Sequence, residues 1–385
     1  MWRVFSVLAI FLYSFFCFYI GARLFSFVRF FLPRIKAPVF FIFFALLSYS
    51  FIIVNFFRFN RVFIFRQLSS LWMTVFFYIF LSLLMFDIVR LVLFFCRKSA
   101  LTPRFTFTGT AIALGLSLVV ILYGAINVRS IRTVNYNVSL SGQGNDIRIV
   151  LISDTHIGST IDQGWIARVV DTVNRAQPDM VCIAGDIFDG NLDAVKDTDG
   201  IASQFRRINA PLGVYACLGN HDVDRISISG GGGNERIINF LKEAGIVPLE
   251  DEAVLVGESF YVIGRRDVRP IGMNSVRKTA AELLSDLDRE RAVIVLDHQP
   301  TQFVQLEEAG ADLLLSGHTH GGQVFPANLI TRSIFKKAGG THYGYWQGRT
   351  MQALVTSGAG FWGPPLRVGT RSEVVVIDVG FFPAL

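Results

Sequence analysis

Four stretches of the chain, residues 4–22, 37–57, 68–86 and 105–128, contain no charged side chain. Crossing a bilayer as a helix takes roughly 20 apolar residues, and inside lipid only a helix or a closed barrel satisfies every backbone N–H and C=O. Residues 1–128 are therefore expected to form a four-helix transmembrane segment. Composition divides at the same place. This part holds 27 of the 37 Phe and 12 Lys or Arg against one acid, Asp87, whereas the remainder holds 24 Lys or Arg against 29 Asp or Glu, a formal charge of −5. The basic residues flank apolar spans, so the expected partner is the lipid bilayer and no nucleic-acid binding is expected.

The first span is too long for a removable signal peptide and lacks a small-residue cleavage site. If the third span continues to Cys96, it carries Asp87 and Arg90 three residues apart, where a helix lets them pair at a membrane face. No other polar group interrupts the spans, which leaves little for a transporter to work with. Four crossings put both ends on one side. The loops on the opposite side carry seven basic residues (Arg23, Arg29, Arg34, Lys36, Arg97, Lys98, Arg104) and the terminal side six (Arg3, Arg58, Arg61, Arg66, Arg129, Arg132). By one charge, the positive-inside rule places the C-terminal part on the extracytoplasmic, periplasmic side. Cys17, Cys96, Cys182 and Cys217 form neither a disulfide framework nor a zinc knuckle.

Residues 129–146 read as a connector whose middle, 131–140, alternates like an edge strand. Beyond it apolar runs alternate with helical patterns. Strands are expected at 147–152, 180–184, 213–218, 253–256, 261–264, 292–296, 353–355 and 374–379, and helices at 165–175, 199–208, 235–244, 275–288 and 301–309. Gly230-Gly231-Gly232-Gly233 reads as a mobile loop, since no Lys-Ser/Thr follows to make a phosphate cradle. The alternation describes an α/β domain with its site beyond the strands' C-terminal edges.

The polar residues following these strands converge on one chemistry. Ser316-Gly317-His318-Thr319-His320 places two imidazoles two residues apart after the run Ala311-Asp312-Leu313-Leu314-Leu315, so on an extended chain both face one way. Asp154-Thr155-His156, Gly185-Asp186-Ile187-Phe188-Asp189, Gly219-Asn220-His221-Asp222 and Asp297-His298 each follow another apolar run. Carboxylate, amide and imidazole without thiolate suit divalent metals rather than a structural zinc site. Two such ions about 3.5–4 Å apart can clamp the attacking and leaving oxygens of a phosphoryl displacement. No strand-to-helix elbow presents a Ser or Cys nucleophile.

The ordered blocks D-x-H, G-D-x-x-D, G-N-H-D, H and G-H-x-H, over about residues 147–380, resemble the calcineurin-like metallophosphoesterase family. The wording of Ile152-Ser153-Asp154-Thr155-His156-Ile157-Gly158 and Gly317-His318-Thr319-His320-Gly321-Gly322-Gln323 is similar to its bacterial, membrane-associated and lipid-directed branch. The resemblance implies a four-layer α/β/β/α sandwich over residues 147–385 and hydrolysis by a metal-bridging hydroxide. It implies that Asp154, His156 and His320 hold one metal ion, that Asn220, His298 and His318 hold the second, and that Asp186 bridges. His221 is then the catalytic imidazole, Asp222 orients its ring, and Asp189 supports the site from behind. The ions could be Mn, Fe, Zn or Mg.

The second block lacks the Arg-Gly of the protein phosphatase branch, which disfavours a phosphoprotein. His221 stands where one lipid A branch has Arg, although a UDP-2,3-diacylglucosamine pyrophosphatase-type activity of lipid A synthesis stays open. The expected substrate carries a phosphodiester or pyrophosphate bond on a phospholipid or lipid-linked molecule. A non-catalytic, metal-binding membrane scaffold is the alternative from another class. His342, Phe361, Trp362 and Arg367, in two Gly/aromatic stretches, are candidates for the substrate rim.

Overall fold

The structure is a computed structural model that describes residues 2–56, 63–97, 102–142, 144–190, 192–222, 234–268 and 276–382. The chain separates into two compact units, Met1–Ala125 and Ile126–Leu385. The expected loop at 230–233 and the basic residues Arg58, Arg61 and Lys98 lie outside the described residues.

The first unit is built from helices α1 (Trp2–Phe31), α2 (Ala37–Phe56), α3 (Phe63–Arg97) and α4 (Pro103–Asn127), the last ending in the second unit. All four are long and apolar enough to cross a membrane. Their inner faces meet around Cys17, Ile20, Phe44, Phe76, Ile79, Leu83 and Ala113, while Phe and Leu side chains crowd the outer surface. Nothing breaks α3 at Phe86, so Asp87 and Arg90 lie within it, 3.9 Å apart. Asp87 also receives Arg23 at 3.1 Å and the hydroxyl of Tyr19 at 2.5 Å from α1. The charge is therefore neutralised between helices and not only along one.

The second unit is two six-stranded sheets. The first runs β1 (Ile131–Ser141), β12 (Ser372–Phe382), β2 (Ile147–Ile152), β3 (Met180–Ala184), β4 (Val214–Cys217), β5 (Val247–Pro248). The second runs β10 (Gly344–Gln347), β11 (Gln352–Val355), β9 (Leu313–Ser316), β8 (Ala292–Leu296), β7 (Phe260–Gly264), β6 (Glu252–Val256). Strand alternation sends side chains to one core between the sheets and to one under each helix layer. Ile149, Leu151, Met180, Cys182, Ile294, Leu296, Leu313 and Leu315 point between the sheets. Their neighbours Val150, Ile152, Val181 and Ile183 meet helices α5 (Gln163–Arg175), α6 (Thr198–Phe205) and α7 (Glu235–Glu243). Val293, Val295 and Leu314 meet α8 (Ala280–Leu284) and α9 (Phe303–Ala309). The layers are α/β/β/α.

Two details differ from expectation, while the connector strand lies at a sheet edge as its alternation reads. The helix expected over 275–288 shrinks to α8, because Thr279 and Glu282 form a capping box that starts it late. Helix α10 (Ala327–Lys337) was not anticipated. The edge strand β1 pairs in parallel along its whole length with β12, which separates it from its sequence neighbour β2.

Leu315 is fully buried between the sheets three residues before the first imidazole of the H-x-H pair. Leu315→Ala is expected to cost about 2–5 kcal/mol, measured as a shift in the chemical denaturation midpoint of the detergent-solubilised protein.

Candidate dinuclear metal centre

Five strands deliver the candidate side chains. Asp154 and His156 follow β2, Asp186 and Asp189 follow β3, Asn220, His221 and Asp222 follow β4, His298 follows β8, and His318 and His320 follow β9. The backbone at Asp154, His156, Asp186, His318 and His320 takes positive φ between 45° and 70°. Left-handed backbone at a residue other than glycine is uncommon and persists where surrounding structure enforces it, most often at functional sites. Here the enforcing bonds cross between strands. Asp154 N–H donates to Gly185 O, and His156 N–H to Asp186 O, both at 3.0 Å. His318 N–H donates to the Asp154 carboxylate at 3.0–3.1 Å. Two glycines permit this crowding. A Cβ at Gly219 would sit 2.2 Å from Asp186 Oδ1, and one at Gly317 would sit 2.3 Å from Asp154 Oδ2.

The result is two adjoining ligand sets. Donor atoms of Asp154, His156 and His320 lie within 4.8 Å of one another, as do those of Asp186, His298 and His318. His156 Nε2 and His320 Nε2 face each other at 3.0 Å, and His318 Nδ1 faces His298 Nε2 at 3.3 Å. Asp186 Oδ2 reaches both sets, 3.1 Å from His298 Nε2 and 3.8 Å from His156 Nε2. His298 Nδ1–H donates to Ala184 O at 2.8 Å, which turns Nε2 inward.

Electrostatics favour cations here. Burial holds the pKa of His156 and of His318 down to about 4 and that of His320 well below its usual value, so these rings are neutral bases. Burial pushes Asp154 up to about 6. Burial also opposes charge on Asp186 and His298, but their mutual attraction and hydrogen bond outweigh it, holding the Asp186 pKa below and the His298 pKa above its ordinary value; a cation at His298 Nε2 would take the place of that proton beside the carboxylate. The donor set fits divalent metal by one further observation. Asn220 Oδ1 is a buried acceptor with no hydrogen-bond partner among the described residues, as expected of an amide oxygen waiting for a cation.

His221 borders this centre. Its N–H donates to Asp186 Oδ1 at 2.8 Å, and its ring centroid is 5.2 Å from that of His156. The carboxylate near its Nδ1, at 3.8 Å, is Asp189. Asp222 does not orient the ring. Both its oxygens are taken by backbone, Oδ1 by Phe188 N–H and Oδ2 by Gly219 N–H, each at 2.8 Å, so it clamps the β3 and β4 loops together.

Of the rim candidates, two are displaced inward. Phe361 is buried against Trp165, ring centroids 5.4 Å apart. Arg367 is 0 % exposed. Its Nη2 donates to Ser357 O at 2.6 Å and Gly360 O at 2.7 Å, and Nη1 to His320 O at 3.3 Å. Burial lowers its pKa to about 10, still charged at neutral pH. It thus braces His320 from behind. Trp362 is 53 % exposed, with its ring centroid 6.1 Å from that of His221. His342 is half-buried, and its carbonyl accepts from Thr319 Oγ1.

The segment Ser357-Gly358-Ala359-Gly360 was not anticipated. Ala359 N–H donates to Ser153 O at 2.8 Å and Gly360 N–H to Asp154 O at 3.0 Å, closing the first ligand loop from below. Its signal was small residues directly after a strand, too common to single out.

The family model for calcineurin-like phosphoesterases matches residues 147–322. An uncharacterized metallophosphoesterase of Campylobacter jejuni is 30% identical over 348 residues, covering 86% of this chain and 89% of its own length. This chain belongs to the calcineurin-like metallophosphoesterase family. It is a metal-dependent phosphoric ester hydrolase with four apolar helices ahead of its catalytic fold. A Danio rerio transmembrane protein with metallophosphoesterase domain is 28% identical over 286 residues, 71% of this chain and 63% of that protein. Among solved structures, a dimetal phosphatase from Danio rerio aligns with TM-score 0.33 and 13% identity, over 55% of this chain and 87% of that one.

Two substitutions separate the site's ligands from its supports. Gly219→Ala, by displacing the Asp186 carboxylate, is expected to lower bound metal and reduce turnover about 100-fold, read by elemental mass spectrometry and by kcat. Arg367→Met leaves buried carbonyls unsatisfied, about 1–3 kcal/mol each. A fall in melting temperature with KM unchanged is expected, whereas a raised KM alone would restore Arg367 to the rim.

Proposed function

We propose that the chain is a membrane-anchored, dinuclear-metal phosphoesterase that hydrolyses the phosphodiester or pyrophosphate bond of a lipid or lipid-linked substrate. Residues 1–128 anchor it, 129–146 connect, and 147–385 carry the catalysis on the extracytoplasmic side. Asp154, His156 and His320 hold one divalent ion, Asn220, His298 and His318 the other, and Asp186 serves both. The observation that supports this most directly is the geometry around Asp186, whose carboxylate lies within 4 Å of an imidazole from each ligand set. Two bound divalent ions supply electrophilic stabilisation of phosphoryl charge and acidify water.

The protein's own groups do the rest. His221 reaches the surface of the site and donates a proton to the departing oxygen or stabilises charge on the phosphoryl group. Asp189, 3.8 Å from its Nδ1, limits how the ring can turn. Exposed Trp362 offers an apolar wall beside that imidazole. A substrate held in the same bilayer as the four helices arrives at an effective concentration that free diffusion would not provide.

Asp186→Ala and His221→Ala are each expected to remove hydrolysis, by about 100-fold or more, but only the first should lower bound metal. A panel of phospholipids, lipid pyrophosphates and UDP-linked acyl sugars, run beside a soluble aryl phosphodiester on detergent-purified protein, tests the substrate class. Turnover confined to the soluble ester would remove the lipid assignment.

A further inference from the structure

Helix α10 is arranged in reverse of an ordinary surface helix. None of its residues is buried. Three of its four large apolar side chains face outward: Ile330 is 62 % and Ile334 59 % exposed, and Leu329 is exposed beside them. Thr331 and Phe335 take the less exposed side. Phe325, just before the helix, is also exposed. A contiguous apolar patch of this kind marks an interaction surface.

Charge indicates what covers it. Residues 129–385 are acidic overall, yet residues 313–372 contain no Asp or Glu and six Lys or Arg. Three of those, Arg332, Lys336 and Lys337, lie on α10 itself and are exposed. Apolar side chains fringed by Lys and Arg, with no acid, are the composition of a helix lying in an anionic lipid interface.

Connectivity points the same way. The fourth apolar span ends at Asn127, whose side-chain amide donates to Arg367 O at 3.0 Å and to Thr370 O at 2.8 Å. Thr370 Oγ1 donates to Gln323 O at 2.8 Å, Val368 N–H to Gln323 O at 3.0 Å, and Phe325 N–H to Val368 O at 2.8 Å. The exit of the span and the root of α10 are thus tied into one hydrogen-bonded pair of loops. Gln323 also exchanges two bonds with the backbone of Trp362, at 2.8 and 2.9 Å, and so joins the root of α10 to the indole beside His221.

We infer that α10 is an interfacial membrane-docking helix: its Leu329, Ile330 and Ile334 enter an anionic bilayer surface while Arg332, Lys336 and Lys337 meet the headgroups, holding the mouth of the metal centre against lipid. This goes beyond the proposed hydrolysis and stands independently of the substrate's identity. Lipid contact at α10 can be measured on a protein that cleaves nothing.

The test uses the full chain with Cys96→Ser, reconstituted into vesicles of phosphatidylcholine with or without phosphatidylglycerol. Spin labels are placed singly at Ile330→Cys, Ile334→Cys and, as a control on another helix end, Ser285→Cys. In phosphatidylglycerol vesicles the labels at 330 and 334 are expected to collide several-fold more with oxygen, relative to a water-soluble nickel chelate, than the label at 285. Replacing Arg332, Lys336 and Lys337 by Gln should remove the preference for phosphatidylglycerol. Equal nickel access at all three positions overturns the inference, and so does shielding of 330 and 334 from both reagents, which would assign the face to a protein partner. A separate arm compares Ile330→Asn/Ile334→Asn with the parent enzyme. Cleavage of vesicle-borne substrate should fall about tenfold while that of a soluble aryl phosphodiester stays unchanged. If no lipid is cleaved by either, the lipid-substrate reading fails while the label result still decides the role of α10.

Discussion

Asp186 is the point on which the two sheets depend. It stands at the end of β3 in the first sheet, yet its carboxylate is 3.1 Å from His298, which belongs to the second. The same group receives the N–H of His221 from the β4 loop. One ionised side chain in a buried place thus holds three loops from two layers. Such an arrangement survives burial because cationic and N–H partners surround it. The positive φ at Asp154, His156, Asp186, His318 and His320 is the backbone cost of bringing these loops together.

Support for this junction comes from residues that touch no ligand space. Asp222 ties Phe188 to Gly219. Arg367 fastens Ser357, Gly360 and His320 from behind. On the far side of His298, Asp297 is paired with Arg265 at 2.9 Å and Arg277 at 2.7 Å, so the end of β8 is pinned by charge as well as by its strand neighbours. Ligand sets that are to hold metal need this rigidity, because sets that could relax would bind an ion without presenting it to substrate.

The candidate ligands were legible in the sequence because each follows an apolar run, and a strand's end is where a polar side chain meets a cleft. The four layers came from the resemblance, and the unbroken apolar runs of strands such as Ala292–Leu296 agree with it, since a strand buried on both faces loses its polar alternation. What stayed hidden depended on long-range packing. The resemblance implied that Asp222 orients the ring of His221, but its oxygens turn to the backbone N–H of Gly219 on its own loop and of Phe188 on the β3 loop. Arg367 and Phe361 share a segment with exposed Trp362, and nothing local says which of them turns inward. Helix α10 escaped notice because its apolar residues serve no core, so the usual inward-facing pattern gave no guide.

The slot between β1 and β2 has a bearing on how the molecule is assembled. These two strands are separated by a turn, yet the space between them is filled by β12, made about 240 residues later. The first sheet therefore has an open seam until β12 is in place. Closing that seam also delivers Ser372 and Glu373, which anchor Val128 and the loop under Asp154. One strand far along the chain thus holds the residue after the fourth helix and the loop beneath the first ligand set together.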